Sequence, residues 1–144
     1  MKKLILTAIL LQIVTVSFCQ KKDDDTIIID TAISLNSLKM ILFKNGYTVG
    51  NSDSMFFFTE PKQINGATMV KLDVVRIDTT IMLKGRVKSL VEMQLWGNTI
   101  KEDFMQIRWL KPNLMRKGSM LVDGWNEMEK IAKLFGSKRS YQKQ

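Results

Sequence analysis

Apolar and polar residues alternate along this chain with two different periods, and each change of period marks an element. "ATMVKLDVVRI" (67–77) sets Val70, Leu72 and Val74 against Lys71 and Asp73, a period of two that predicts a strand with one buried face. "TIMLKGRVK" (80–88) repeats it, with Ile81, Leu83 and Val87 opposing Thr80, Lys84, Arg86 and Lys88. Asp78-Thr79 between the two reads as their turn. Near the end the period lengthens. Leu121, Trp125, Met128, Ala132 and Phe135 recur at spacings of four, three, four and three, which confines them to an arc of about 80° on a helix. Asp123, Asn126, Lys130 and Lys133 take the opposite side, and Gly136 is placed to close the helix.

The other segments yield to the same reading. "TIII" (26–29) is β-branched and predicts a first strand. Asp30 is placed as N-cap of a helix over 31–45, in which Leu35, Leu38, Ile41 and Leu42 share a face and Gly46 supplies a left-handed cap. "YTV" (47–49) and "MFFFTE" (55–60) are strand-like and flank the turn-rich "GNSDS"; Pro61 and Asn65-Gly66 punctuate the connection to residue 67. "FMQIRWL" (104–110) reads as a strand with Met105, Ile107 and Trp109 on one side and Phe104 and Arg108 on the other. "MQLW" (93–96) is its expected partner across "GNTIKED", and Pro112 and Gly118 mark a loop. No internal repeat is visible.

Strand runs set apart from their helices predict an α+β domain. The expected architecture is a curved antiparallel sheet of about four to six strands, with an N-terminal and a longer C-terminal helix packed on one face. The domain spans 26–136, between a polar linker "QKKDDD" (20–25) and a frayed basic tail (137–144). This order, with "LKMILFKNGYTV" and the closing "GWNEMEKIAKLFG", resembles small exported bacterial domains of unknown function with a TBP-like or helix-grip fold. The resemblance covers about 26–136 and implies a fold only; nothing about DNA binding follows from it.

"MKKLILTAILLQIVTVSFC" (1–19) has the layout of a secretory signal, two lysines followed by an apolar run too short to favour a spanning helix. Cleavage after Cys19 puts Ser17 and Cys19 at the small-residue positions and leaves Gln20 as the new N-terminus. Lipoprotein processing would cut before Cys19, where Phe18 fits badly, although "CQKKDDD" resembles the start of some surface-exported lipoproteins. The expectation is a periplasmic or secreted protein without Cys19. The alternative is an outer-membrane lipoprotein with Cys19 lipidated, and a membrane partner enters only in that case.

Composition narrows the chemistry. The 144 residues are 45% apolar and carry one cysteine and no histidine. That is enough for one domain with a real core, held without disulfides. Ser-His and Cys-His nucleophiles and the usual zinc sites are excluded. Net charge is +8, or +6 once Lys2 and Lys3 leave with the signal. For an exported protein this points to an acidic envelope protein or an anionic surface component rather than nucleic acid. Asp73, Asp78, Glu92, Glu102, Asp103 and Asp123 could form a hydrolytic pair only if two converged across a cleft. Asp23-Asp24-Asp25 lacks the ligand spacing of a calcium loop. No cofactor or metal is expected.

A binding surface is left as the functional candidate. Trp96, Phe104, Arg108 and Trp109 crowd into one segment, near Met93, Met105, Met115 and Met120; aromatic residues with arginine are the composition of interface hot spots. The expected function is therefore a non-catalytic, exported envelope domain binding a partner through Trp96, Phe104 and Arg108. The alternative is a carrier holding a small apolar ligand between the sheet and the last helix, and a carboxylate-dependent hydrolase ranks below both.

Overall fold

The computed structural model describes residues 20–21, 23–90, 93–95, 98–100, 103–109 and 119–144. Residues 1–19 with Cys19, and Trp96, Glu92, Glu102 and Met115, lie outside these residues. In chain order the first elements are β1 (Thr26–Asp30), α1 (Leu35–Lys44), β2 (Val49–Ser52), β3 (Phe56–Thr59) and β4 (Lys62–Gln63). They are followed by β5 (Thr68–Ile77), β6 (Thr80–Ser89), β7 (Met93–Leu95), β8 (Asn98–Ile100) and β9 (Met105–Gln106). Helix α2 (Met120–Phe135) and β10 (Lys138–Gln142) end the order.

The β5–β6 hairpin is the spine. Its register runs unbroken from Thr68↔Ser89 to Ile77↔Thr80, and Asp78 makes the turn in a left-handed conformation, φ 53°, which Asp tolerates better than most residues. Alternation does the rest. Val70, Leu72, Val74, Ile81, Leu83 and Val87 are all fully buried on one face. The sheet is curved, antiparallel and unclosed, in the order β10-β1-β6-β5-β3-β2, with β4 also paired to β5 and β9 to β6.

Among the described residues the sheet has eight strands, more than the four to six expected. The surplus has a physical origin. The ten-residue spine strands are longer than their neighbours, so β3 and β4 lie along one side of β5, and β1 and β9 along one side of β6. Two-residue strands such as β4 and β9 carry no readable period. The segment 93–96 was expected to pair with 104–110; instead β7 pairs with β8 in a hairpin of its own, and β9 joins Arg86 and Val87 of β6.

Both ends of the domain are tied in more firmly than their composition suggests. The tail read as frayed forms β10, paired along its whole length with β1. Arg139 reaches Glu129 of α2 (3.5 Å), and the Tyr141 ring packs 6.1 Å from that of Trp125. The segment read as a linker is equally fixed. Asp23 N donates to Trp109 O (3.1 Å), Trp109 N to Asp24 O (2.7 Å), and Asp25 N to Gln142 O (3.1 Å). The Asp24 side chain accepts from Lys21 N at 2.6 Å, and Asp24 is buried.

Helix α1 starts later than expected. Asp30 belongs to β1, opposite Lys138 and Thr80, and Ser34 caps instead, its hydroxyl accepting from Ser37 N. Gly46 takes the expected left-handed conformation, φ 79°. Along α2, Trp125, Met128, Ala132 and Phe135 of the predicted stripe are buried, together with Gly124 and Ile131, and Leu121 packs at the rim. Gly136 ends α2 in extended backbone, φ 175°. Its service is room, because a methyl group there would stand 2.9 Å from Ile29 Cγ2.

The helix–sheet seam is closest at Ile107. Its N–H donates to Gly85 O (2.9 Å), and its side chain passes between Gly85 of β6 and Gly124 of α2. A Cβ on Gly85 would lie 2.6 Å from Met128 Sδ and 2.7 Å from Ile107 Cδ1; one on Gly124 would lie 2.8 Å from the same Cδ1.

Candidate functional site

The helices cover one face of the sheet, so the residues alternating outward from the spine form its other face. Lys71, Asp73, Lys84, Arg86 and Lys88 all point there by strand periodicity and are partly exposed. Register sets Lys71 beside Arg86, and Asp73 beside Lys84. The Asp73 carboxylate accepts from Arg86 Nη2 at 2.9 and 3.0 Å, leaving the neighbouring lysines unneutralised by it. This ion pair is partly exposed and adds little stability.

Strand β9 extends this face. Gln106 lies opposite Arg86, so Phe104, Gln106 and Arg108 alternate outward while Ile107 goes in. The Phe104 ring sits under two ammonium groups, 5.2 Å from Lys71 Nζ and 5.9 Å from Lys88 Nζ. Rings and cations at such distances attract. Arg108 is exposed. Two of the three expected partner-binding residues thus stand on the cationic face, and Trp96 lies outside the described residues. Of the residues expected on the inner side, Ile107 is fully buried and Trp109 packs against the core, but Met105 is 40% exposed. Strand β9 lies beyond the end of β1 on that side of β6, so little covers Met105.

Next to the cationic patch runs an apolar row. Phe56, Val75, Met82 and Ile28 are consecutive cross-strand neighbours over four strands, partly or largely exposed. Met55 and Ile77 extend it at the hairpin end, 55% and 46% exposed. Sequence alternation alone places Lys71, Lys84, Arg86 and Lys88 together, but joining them to Phe104 needs the β6–β9 register.

The carboxylates weighed for hydrolysis are dispersed among the described residues. Asp73 is ion-paired, Asp78 is in the hairpin turn, Asp103 is exposed, and Asp123 accepts from Asn65 Nδ2 (2.9 Å). No group of three or more potential metal ligands occurs among the described residues. The space between α2 and the sheet, where a carrier would hold its ligand, is occupied by Trp125, Met128, Ile131, Phe135 and Ile107.

One polar cluster escaped sequence reasoning. Tyr47 Oη donates to Glu127 Oε1 (3.1 Å), and Lys62 Nζ donates to the same oxygen (3.0 Å) and to Asn45 O (2.8 Å). Lys62 also lies 4.4 Å from the Tyr47 ring centroid, and Lys130 pairs with Glu127 Oε2 at 3.3 Å. Burial works to raise the Glu127 carboxyl, but hydrogen bonding and charge from Lys62, with Lys130 and Tyr47, outweigh it and hold it below the ordinary range. Burial, then the charge and hydrogen bond of Glu127, push the Tyr47 phenol well above its usual range. The cluster latches the exit of α1, strand β4 and helix α2 together.

Alkaline pH should weaken this latch. A phenol whose folded pKa is raised contributes stability that is full below the unfolded value, about 10, and is lost as pH rises beyond it. Tyr47→Phe should cost about 1 kcal/mol at neutral pH and flatten the fall of stability above pH ~10. Urea titrations at neutral and alkaline pH measure both; an unchanged alkaline limb would remove the phenol from the account.

No helix among the described residues is long and apolar enough to cross a membrane. No family model, no curated protein and no solved structure matches the chain.

Proposed function

We propose that this protein is an exported, non-catalytic envelope module that binds an acidic protein partner on the outward face of its sheet. One observation carries the reading: a contiguous face joins Lys71, Lys84, Arg86, Lys88, Arg108 and Phe104 to the apolar row of Phe56, Val75, Met82 and Ile28. Protein interfaces combine an apolar centre with arginine and aromatic anchors. A polyanionic sugar would use the cations and leave the apolar row unserved, which favours a protein. Export rests on the leader's layout, and the filled helix–sheet interior favours a module over a carrier.

Capture from the envelope fraction by the tagged chain, with crosslinking and identification of the captured protein, tests it. Lys84→Glu/Lys88→Glu and Phe104→Ala/Arg108→Ala should each lower capture at least tenfold, with the thermal midpoint moving by no more than a few degrees. Capture should also weaken with added salt. Undiminished capture by the charge-reversed variant would take the function off this face.

A further inference from the structure

The chain enters the fold beside a groove of about 660 Å3 on the helical side of the molecule. Gln20, Trp109, Trp125, Lys130, Lys133 and Leu134 line it. Trp125 is its buried floor, Trp109 is partly exposed, and Leu134 is 46% exposed. Lys130 and Lys133 stand exposed at the rim.

We infer that this face rests on an anionic phospholipid surface, with Trp109 and Leu134 in the headgroup boundary and Lys130 and Lys133 on lipid phosphates. Charge is the first argument. Two exposed lysines flank a tryptophan and an apolar residue, and the Glu129 carboxylate that also lines the groove is already paired with Arg139 (3.5 Å). That composition partitions to a membrane interface, the rings and stems in the boundary and the ammonium groups on the anions. The second is where the apolar leader joins. Gln20 Nε2 donates to Glu129 Oε1 at 2.7 Å, and Leu4–Phe18 and Cys19 directly precede Gln20. One residue reaches at most about 3.6 Å. A lipid on Cys19, or a leader left in place, would therefore hold this groove at the bilayer with no slack. Geometry supplies the third. The outer side of α2 faces away from the sheet, so contact here leaves the cationic sheet face open to a partner.

This inference does not depend on the sheet-face reading, and one set of variants separates the two. The chain from Gln20 onward carries every described contact and is mixed with vesicles of phosphatidylcholine, alone or with one-third phosphatidylglycerol. Sedimentation with the anionic vesicles only is expected, weakening as salt rises. Brominated acyl chains should quench tryptophan emission, and less so in Trp109→Phe. Lys130→Glu/Lys133→Glu should lower the bound fraction tenfold or more. Lys130 also pairs with Glu127, so Lys133→Glu alone, which leaves that ion pair intact, should show the same direction of change. Lys84→Glu/Lys88→Glu should bind vesicles within twofold of the parent, and both groove variants should capture the envelope partner normally. Three results would each overturn the inference: no sedimentation with anionic vesicles, undiminished binding by both groove variants, or loss of vesicle binding in the sheet-face variant.

Discussion

Trp125→Ala should lower stability by about 3–5 kcal/mol, the cost of deleting a buried aromatic side chain. Trp125 is 3% exposed and sits between the core of α2 and the ring of Tyr141. Removing the indole leaves a void that cannot close cheaply. On one side are Met128, Ile131 and Ala132 in the same helix; on the other, Tyr141 is held by β10 in register with β1. Losing that ring contact also loosens the last strand, so amides of 138–142 should exchange faster in the variant. Urea denaturation gives the energy, and Trp125→Phe should recover much of it. A midpoint that hardly moves would place the indole against solvent.

Gly85→Ala should destabilise by about 1–3 kcal/mol, against the ordinary gain of replacing a glycine inside a strand. The new methyl has nowhere to go, since Met128 and Ile107 already stand within 3 Å of where it must lie. Both side chains are fully buried, so relief on one side forces a shift on the other. The collision with Ile107 is at Cδ1, the atom that Ile107→Val removes. Gly85→Ala/Ile107→Val should therefore cost less than the sum of the single changes, by about 0.5 kcal/mol or more. Additive costs would mean that the helix, not Ile107, absorbs the methyl.

Glycine at position 85 shows how far the sequence could be read. It stands in the inward series of β6 between Leu83 and Val87, and nothing local to that stretch names Met128 and Ile107 as the side chains that occupy the space a Cβ would take. The spine hairpin and the α2 stripe were legible because each writes its period within one stretch, Val70 to Val87 and Leu121 to Phe135. The start of α1 was not, since Asp30 and Ser34 are both good caps and only the pairing of Asp30 with Lys138 and Thr80 decides between them. Strand β10 was hidden by its composition: "KRSYQ" has one large apolar residue, enough for an edge strand but too little for a period. The Tyr47–Lys62–Glu127 latch joins three distant segments, and no local pattern announces it. On the candidate face, the outward lysines could be read from alternation, whereas the placing of Phe104 between Lys71 and Lys88 depends on a two-residue strand.

The pairing of β1 with both β6 and β10 bears on how the chain can be made and moved. Thr26 has Gln142 as its partner on one side and Lys84 on the other, so a chain emerging from its N-terminus cannot complete this sheet until its final strand is released. Contacts so distant in sequence form slowly, because the intervening loop must be closed before they contribute anything. Slow completion keeps the polypeptide pliable during synthesis, the state that the proposed export would require. Until β10 arrives, β1 has β6 alone to pair with, and its other edge stays open.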